Sequence, residues 1–91
     1  MAKLKMYAIF NAAAKAFGPP MVFHTNGLAL REFETVCMSK DSQLNKSPED
    51  FTVWEIGEYD TDNALIVSGV APKALAQATD YVKKPALAAV N

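Results

Sequence analysis

The chain has 91 residues, of which 51% are hydrophobic and 21% charged; this is the composition of a folded protein and excludes an intrinsically disordered one. Its length allows one thin core, so we predict a single domain over residues 1–91, with an ordered core at about 3–82 and a frayed tail at 83–91. The single cysteine excludes internal disulfides, and no segment is long and apolar enough for a transmembrane helix.

Charge is distributed unevenly although the net charge is only −1. Residues 1–31 carry four cations and no acid, whereas residues 32–62 carry nine acids and two lysines. Such asymmetry can produce a basic and an acidic face, which favour polyanion binding or head-to-tail self-association. The alternative is a solvated surface on which the charges mix once the chain folds.

The first segment of the chain alternates with the period of a β-strand over residues 3–10. One side of this strand is expected to be buried; it carries Leu4, Met6, Ala8 and Phe10. The other side carries Lys3, Lys5, Tyr7 and Ile9. A connection over residues 11–18 and the turn Gly18-Pro19-Pro20 lead to a second strand over residues 21–24, which pairs antiparallel with the first.

A helix is predicted next, from a cap at Thr25 or Asn26 to about Ser39. Its apolar stripe is expected to pack on the sheet and consists of Ala29, Leu30, Phe33, Val36 and Cys37. Because Cys37 lies on this stripe, we interpret it as a core residue rather than a reactive thiol. The polar segment 40–50 is predicted to be a loop.

The second half predicts a β-hairpin and an optional helix. Residues 51–59 are rich in aromatic and β-branched side chains and predict a strand, which residues 60–63 connect to a return strand at 64–67. Pro72 begins a short helix predicted from residue 73 to about residue 82. The expected fold class is α+β, in the order β-β-α-β-β, with the central helix across one face of a small antiparallel sheet.

The sequence contains no constellation typical of an enzyme or a metal site. His24 is the single histidine and Cys37 the single cysteine, so a zinc motif is impossible. Asp60 and Asp62 lack the later glycine and glutamate of a calcium loop, so we interpret them as a turn. Glycine-rich phosphate loops and the G-x-S-x-G motif are absent. We therefore predict a non-enzymatic protein without a cofactor or metal.

One pattern in the first strand favours binding of nucleic acid. Lys3, Lys5 and Tyr7 share one side of the first strand, and a sheet face with cations and an aromatic ring binds single strands through phosphate contacts and base stacking. Further aromatic residues that extend such a platform are Phe51, Trp54 or Tyr59. The alternative is that these aromatic side chains form the core of a small domain.

Several motifs together resemble one family. They are the segment Y-A-I-F at 7–10, the two prolines at 19–20, the helix around Gly27, Ala29, Arg31 and Phe33, and the pair P-E-D-F at 48–51 and G-E-Y-D at 57–60. Over about residues 3–76 the chain resembles the small non-structural protein of gokushovirus-type microviruses, which are phages with a circular single-stranded DNA genome. Asn11 stands where this resemblance leads us to expect an aspartate.

The resemblance implies a non-structural protein of the infected bacterial cytoplasm, linked to viral single-stranded DNA synthesis or packaging and without catalytic residues. We therefore predict single-stranded DNA binding, with contacts at Lys3, Lys5, Tyr7, Lys15 and Arg31. The alternative is a protein-interaction module that modulates viral or host replication or packaging proteins, and a third possibility is a structural role in the particle.

Short length, uneven charge and the apolar residues 65–67 also predict a homo-oligomer, most simply a two-fold dimer.

Overall fold

The computed structural model describes residues 3–68 and 71–82. Its elements in chain order are β1 (Lys3–Asn11), β2 (Ala16–Phe17), β3 (Met21–Phe23), α1 (Asn26–Met38), α2 (Gln43–Lys46), a 3₁₀ helix (Pro48–Asp50), β4 (Phe51–Asp60), β5 (Ile66–Val67), β6 (Lys73–Gln77) and a second 3₁₀ helix (Ala78–Asp80). The predicted α+β class with one antiparallel sheet is confirmed. The predicted frayed tail at 83–91 lies outside the described residues.

Two long antiparallel strands form the centre of the sheet. β1 and β4 pair along their whole length, from Lys3 opposite Asp60 to Asn11 opposite Phe51. β2 and β3 both pair with the outer edge of β1, while β5 and β6 both pair with the outer edge of β4. The short strands therefore extend the central pair on both sides.

Helix α1 begins at a side-chain cap, as the sequence predicts. Thr25 Oγ1 accepts a hydrogen bond from the Leu28 N–H at 3.2 Å. The buried residues Ala29, Phe33 and Cys37 follow at intervals of four, so they share one face of the helix. They form one core with Tyr7, Leu44, Phe51, Val53 and Ala78. The predicted stripe and the interpretation of Cys37 as a core residue are confirmed.

Residues 40–50, predicted to be a loop, contain two short helices. Ser42 Oγ accepts a hydrogen bond from the Asn45 N–H at 3.1 Å and so caps α2, while Asn45 Nδ2 donates to the Cys37 carbonyl at 2.9 Å. Leu44 is only 8% exposed and completes the core. A single helical turn is too short to show a 3.6-residue hydrophobic period, which is why the sequence did not reveal it.

The predicted C-terminal helix is wrong. Lys73–Gln77 form strand β6, which pairs with β4 from Glu55 to Thr52, and only Ala78–Asp80 form a short 3₁₀ helix. Pairing satisfies backbone N–H and C=O groups along the edge of β4, which a helix at this place would leave open. Tertiary pairing thus overrides the local preference of an alanine-rich segment.

Helix α1 covers the side of β1 that carries Tyr7 and Ile9. On the other side, which was predicted to be buried, Met6 and Ala8 are buried and Leu4 and Phe10 are half-buried, although no helix among the described residues covers them. Within the described residues, α1, α2 and both 3₁₀ helices lie together on this side. We call the other side of the sheet the open face. Both sides of β1 carry apolar residues, so alternation alone does not determine which side receives the helix.

Candidate nucleic-acid interface

The strand register defines the residues of the open face, since directly opposite residues of antiparallel strands point to the same side. In these strands the open face consists of Leu4, Met6, Ala8, Phe10, Phe17, Val22, Thr52, Trp54, Gly57, Tyr59, Ile66, Ala74 and Gln77. None of these residues is charged. The charged residues of the same strands, such as Lys5 and Glu55, point to the side of the helix.

A β-bulge brings two aromatic residues of β4 to the same face. Met6 lies opposite Gly57 and Tyr7 opposite Glu55, so Ile56 is an extra residue in β4. Without the bulge, Trp54 and Tyr59 would point to opposite sides, because they are an odd number of residues apart. With the bulge, both lie on the open face.

Three aromatic rings gather at one end of the open face, and we call Phe10, Phe17 and Trp54 the aromatic corner. The ring centroids of Phe10 and Phe17 are 4.9 Å apart, and those of Phe17 and Trp54 are 6.1 Å apart with the rings nearly perpendicular. Phe17 is 48% exposed, whereas Phe10 and Trp54 are half-buried. Trp54 Nε1 is buried and has no hydrogen-bond partner among the described residues, which is unfavourable.

The turn between β1 and β2, which joins the strands of Phe10 and Phe17, carries one cation. Asn11 Oδ1 accepts hydrogen bonds from the N–H groups of Ala13 (3.0 Å) and Ala14 (3.3 Å), a role that an aspartate side chain also performs. Lys15 follows with a φ of 56°, a left-handed conformation that is unfavourable for a residue with a side chain. Lys15 is exposed and lies two residues before Phe17. The turn therefore places the backbone of Lys15 two residues before the exposed ring of Phe17.

Lys3 and Lys5, predicted as contacts, lie toward the other end of β1. Lys3 is opposite Asp60, and Lys5 Nζ is 3.4 Å from Glu55 Oε2. Both lysines point to the side of the helix, and acidic side chains of β4 balance their charge. Phe10 lies five positions after Lys5, which corresponds to about 17 Å of strand. The structure therefore does not combine these two lysines with the aromatic corner.

Tyr7, predicted to stack on bases, is completely buried, so this prediction is wrong. Its hydroxyl donates a hydrogen bond to Asn26 Oδ1, and burial, followed by the charge of Glu55, raises the pKa of Tyr7 to about 12. Phe51 is only 9% exposed and belongs to the same core, so it does not extend a surface platform either. Arg31 is exposed on α1, on the other side of the sheet from the aromatic corner.

Comparison with protein families gives one match. A family model described as phage ORF5 protein matches residues 4–81. The chain belongs to the phage ORF5 protein family. No curated protein matches it, and no solved structure does. The matched part of this phage protein includes the aromatic corner and the turn with Lys15.

Sequence reasoning missed the roles of two phenylalanines in this phage protein. It placed Phe10 on the buried side of its strand and Phe17 in a connection. The segment F-N-A-A-A-K-A-F at 10–17 carries the signal that was available: a short turn flanked by two phenylalanines. Pairing of the flanks as a hairpin places Phe10 opposite Phe17, on the same side.

The thiol group and the possible metal ligands of the phage protein do not form a reactive or metal-binding site among the described residues. Burial, followed by the charge of Glu34, raises the pKa of the Cys37 thiol to about 11, so the unreactive protonated form predominates at neutral pH. In the described part of the chain, no group of three or more histidine, cysteine, aspartate and glutamate residues is arranged to hold a metal ion. None of the helices described is long and apolar enough to cross a membrane.

Proposed function

We propose that this phage protein binds single-stranded DNA through the aromatic corner, and that it is a non-enzymatic, non-structural protein of the gokushovirus type that acts in viral DNA synthesis or packaging in the host cytoplasm. The observation that carries this proposal is the grouping of Phe10, Phe17 and Trp54 on an uncharged sheet face beside Lys15. Membership of a phage family and the sequence resemblance to proteins of single-stranded DNA phages support the choice of ligand.

Base stacking is the main contribution in this proposal. The half-exposed ring of Phe17 is held between Phe10 and Trp54, so it loses little side-chain freedom when a base stacks on it. A base on an aromatic side chain contributes about 1–3 kcal/mol, and every base has a π-face. We therefore expect weak dependence on base sequence. Single strands are preferred because the bases of a duplex are already stacked on each other.

Electrostatic attraction adds a smaller contribution. Lys15 offers one phosphate contact at the corner, and the open-face positions carry no acid that would repel the backbone. The carboxylates of Glu55 and Glu58 point to the other side of the sheet, with Lys5. Each phosphate contact gives a slope of about −0.7 in log affinity against log salt for single strands. One corner therefore predicts moderate affinity and a shallow salt dependence.

The test is a titration of the protein with oligothymidine, read from two signals. One is the anisotropy of a dye on the DNA, and the other is the emission of Trp54, the single tryptophan of the chain, which stacking of a base at the corner should quench. Measurements at about 50 mM and about 200 mM salt separate screened from unscreened contributions. Absence of DNA retention at the lower salt would overturn the proposal.

Two variants with matched controls locate the site. Phe17→Ala should weaken binding about 5- to 100-fold at both salt concentrations, since stacking is not screened. Lys15→Gly should weaken binding at low salt and flatten the salt slope, and glycine adopts the left-handed φ of this position without strain. The controls Leu28→Ala and Lys40→Gln alter an exposed leucine and an exposed lysine elsewhere and should bind like wild type. Wild-type affinity in Phe17→Ala would contradict the assignment.

A second candidate function is a protein-interaction module that modulates replication or packaging proteins. The uncharged open face, on which Phe17 (48%), Val22 (41%) and Ile66 (63%) are exposed, favours this alternative. It becomes the preferred function if the titration shows no DNA binding.

A further inference from the structure

Strand β5 is the outermost strand at one edge of the sheet, among the residues that the structure describes. Its two residues and the residue before it are apolar and exposed: Leu65 59%, Ile66 63% and Val67 54%. No residue from 64 to 68 is charged. Natural sheets usually protect an edge with charges, prolines or a covering element, because an uncovered edge pairs with other chains. An apolar, uncharged edge indicates that a partner covers it.

We propose that β5 pairs antiparallel with β5 of a second copy about a two-fold axis, so that the two sheets become continuous in a homodimer. A two-fold axis brings identical residues together, and the apolar side chains of Ile66 and Val67 are complementary to themselves. Glu58 lies opposite Val67, Asp60 ends β4, and Asp62 lies in the turn between β4 and β5, so this end of the sheet repels nucleic acid and anionic membranes. A second copy of this chain is therefore the partner that best fits the exposed apolar edge of β5.

The sheet register supplies a second argument, based on charge. Along the edge of β4, Ile66 lies opposite Tyr59 and Lys73 lies opposite Glu55, so Lys73 is about 10 Å from an axis beside β5. The second copy runs in the opposite direction. Its Lys73 therefore lies near the turn with Asp60 of the first copy, and the reverse contact forms by symmetry. Opposite charges face each other at both ends of the paired strands.

The proposed dimer leaves the aromatic corner accessible. Phe17 belongs to β2, which pairs with the outer edge of β1, whereas β5 pairs with the outer edge of β4. Each dimer would thus carry two separate corners. Pairing of two short strands covers less than the about 800 Å² per partner of a standard interface, so we expect a dimer that dissociates at micromolar concentrations.

The experiment is sedimentation equilibrium of the full chain over a range of micromolar concentrations at low salt. The wild type should be a monomer–dimer mixture that shifts toward dimer with concentration. Ile66→Lys places two like charges across the axis and should be monomeric, while its circular dichroism spectrum stays that of the wild type. Leu28→Lys makes the same change at an exposed leucine of α1 and should dimerise normally. A monomeric wild type, or a dimeric Ile66→Lys, would overturn the proposal.

A charge reversal tests the register separately. Lys73→Glu replaces the attraction to the acidic turn by repulsion, so it should weaken the dimer at low salt and less so at high salt. An unchanged dissociation constant would refute the proposed register. This proposal does not depend on DNA binding: Ile66→Lys should still show quenching of Trp54 by oligothymidine as a monomer, so failure of dimerisation and failure of DNA binding are distinguishable.

Discussion

The hydroxyl of Tyr7 donates a hydrogen bond to Oδ1 of Asn26, which ties the middle of β1 to the first residue of α1. Tyr7 is completely buried, so this bond satisfies the polar group that its side chain takes into the core. The neighbouring residue Thr25 caps the helix. The start of α1 is thereby held over the Tyr7 side of the sheet, and the aromatic corner remains on the open face.

Removal of this hydrogen bond should destabilise the fold. We expect Tyr7→Phe to lower the free energy of unfolding by about 0.5–1.5 kcal/mol, the usual net contribution of one hydrogen bond. Urea denaturation followed by circular dichroism measures the change. Tyr59→Phe makes the same change in a half-buried tyrosine of the open face and is the matched control. Equal losses in the two variants would show that the bond to Asn26 contributes nothing specific.

Alkaline pH should unfold the protein through two buried groups. Burial is the main cause that raises the pKa of Tyr7 from 10.0 to about 12 and that of Cys37 from 9.0 to about 11. Both pKa values are raised in the folded state, so the associated stabilisation is complete below pH 9.0 and is lost as the pH rises through about 11 and 12. Urea unfolding at increasing pH should show this decline.

Tyr7→Phe separates the two groups in the same experiment. The variant keeps the ionisation of Cys37 but lacks that of Tyr7, so above pH 10.0 its free energy of unfolding should fall less steeply than that of the wild type. Parallel curves for wild type and variant in this range would contradict the role assigned to Tyr7.

The backbone of Val67 passes close to Gly57. A Cβ atom at position 57 would lie 2.5 Å from the Val67 carbonyl oxygen. Gly57→Ala should therefore lower the free energy of unfolding by about 1–3 kcal/mol, as other overpacked substitutions do. It should also detach β5 from β4. Faster hydrogen exchange at the β5 amides would report the detachment. Gly27→Ala is the control, since its Cβ would meet only Thr25 Oγ1 at 3.7 Å and alanine favours a helix by about 0.5–1 kcal/mol. Unchanged exchange in Gly57→Ala would refute this prediction.

Phe33 anchors α1 in the core. It is 2% exposed and packs edge-on against the ring of Tyr81 with a centroid distance of 5.9 Å. Phe33→Ala should cost about 3–5 kcal/mol. A chain of this size has a net stability of roughly 3–5 kcal/mol, so most of the variant should be unfolded in circular dichroism. The control Leu28→Ala, at a 45% exposed position, should change the free energy of unfolding by about 0.5 kcal/mol or less. A Phe33→Ala variant that is stable and unfolds cooperatively would contradict the core assignment.

The sequence predicted part of the candidate site. Lys15, predicted as a contact, is exposed in the turn that joins the strands of Phe10 and Phe17, and Trp54 and Tyr59 lie on the open face. Tyr7 was wrongly predicted as a surface contact, and Phe51 was left open between surface and core, because an aromatic residue in a strand suits either environment. Phe17 was missed because strand β2 has only two residues and no period of its own.

The sequence by itself determined the α+β class, the long strands β1 and β4, and helix α1 with its buried stripe, because caps and hydrophobic periods depend only on spacing along the chain. The tertiary structure alone decided which side of β1 the helix covers and that Lys73–Gln77 form a strand. It also decided that Trp54 and Tyr59 share a face, through the bulge at Ile56. These three features depend on contacts between residues that are distant in the chain, and local sequence patterns do not predict such contacts.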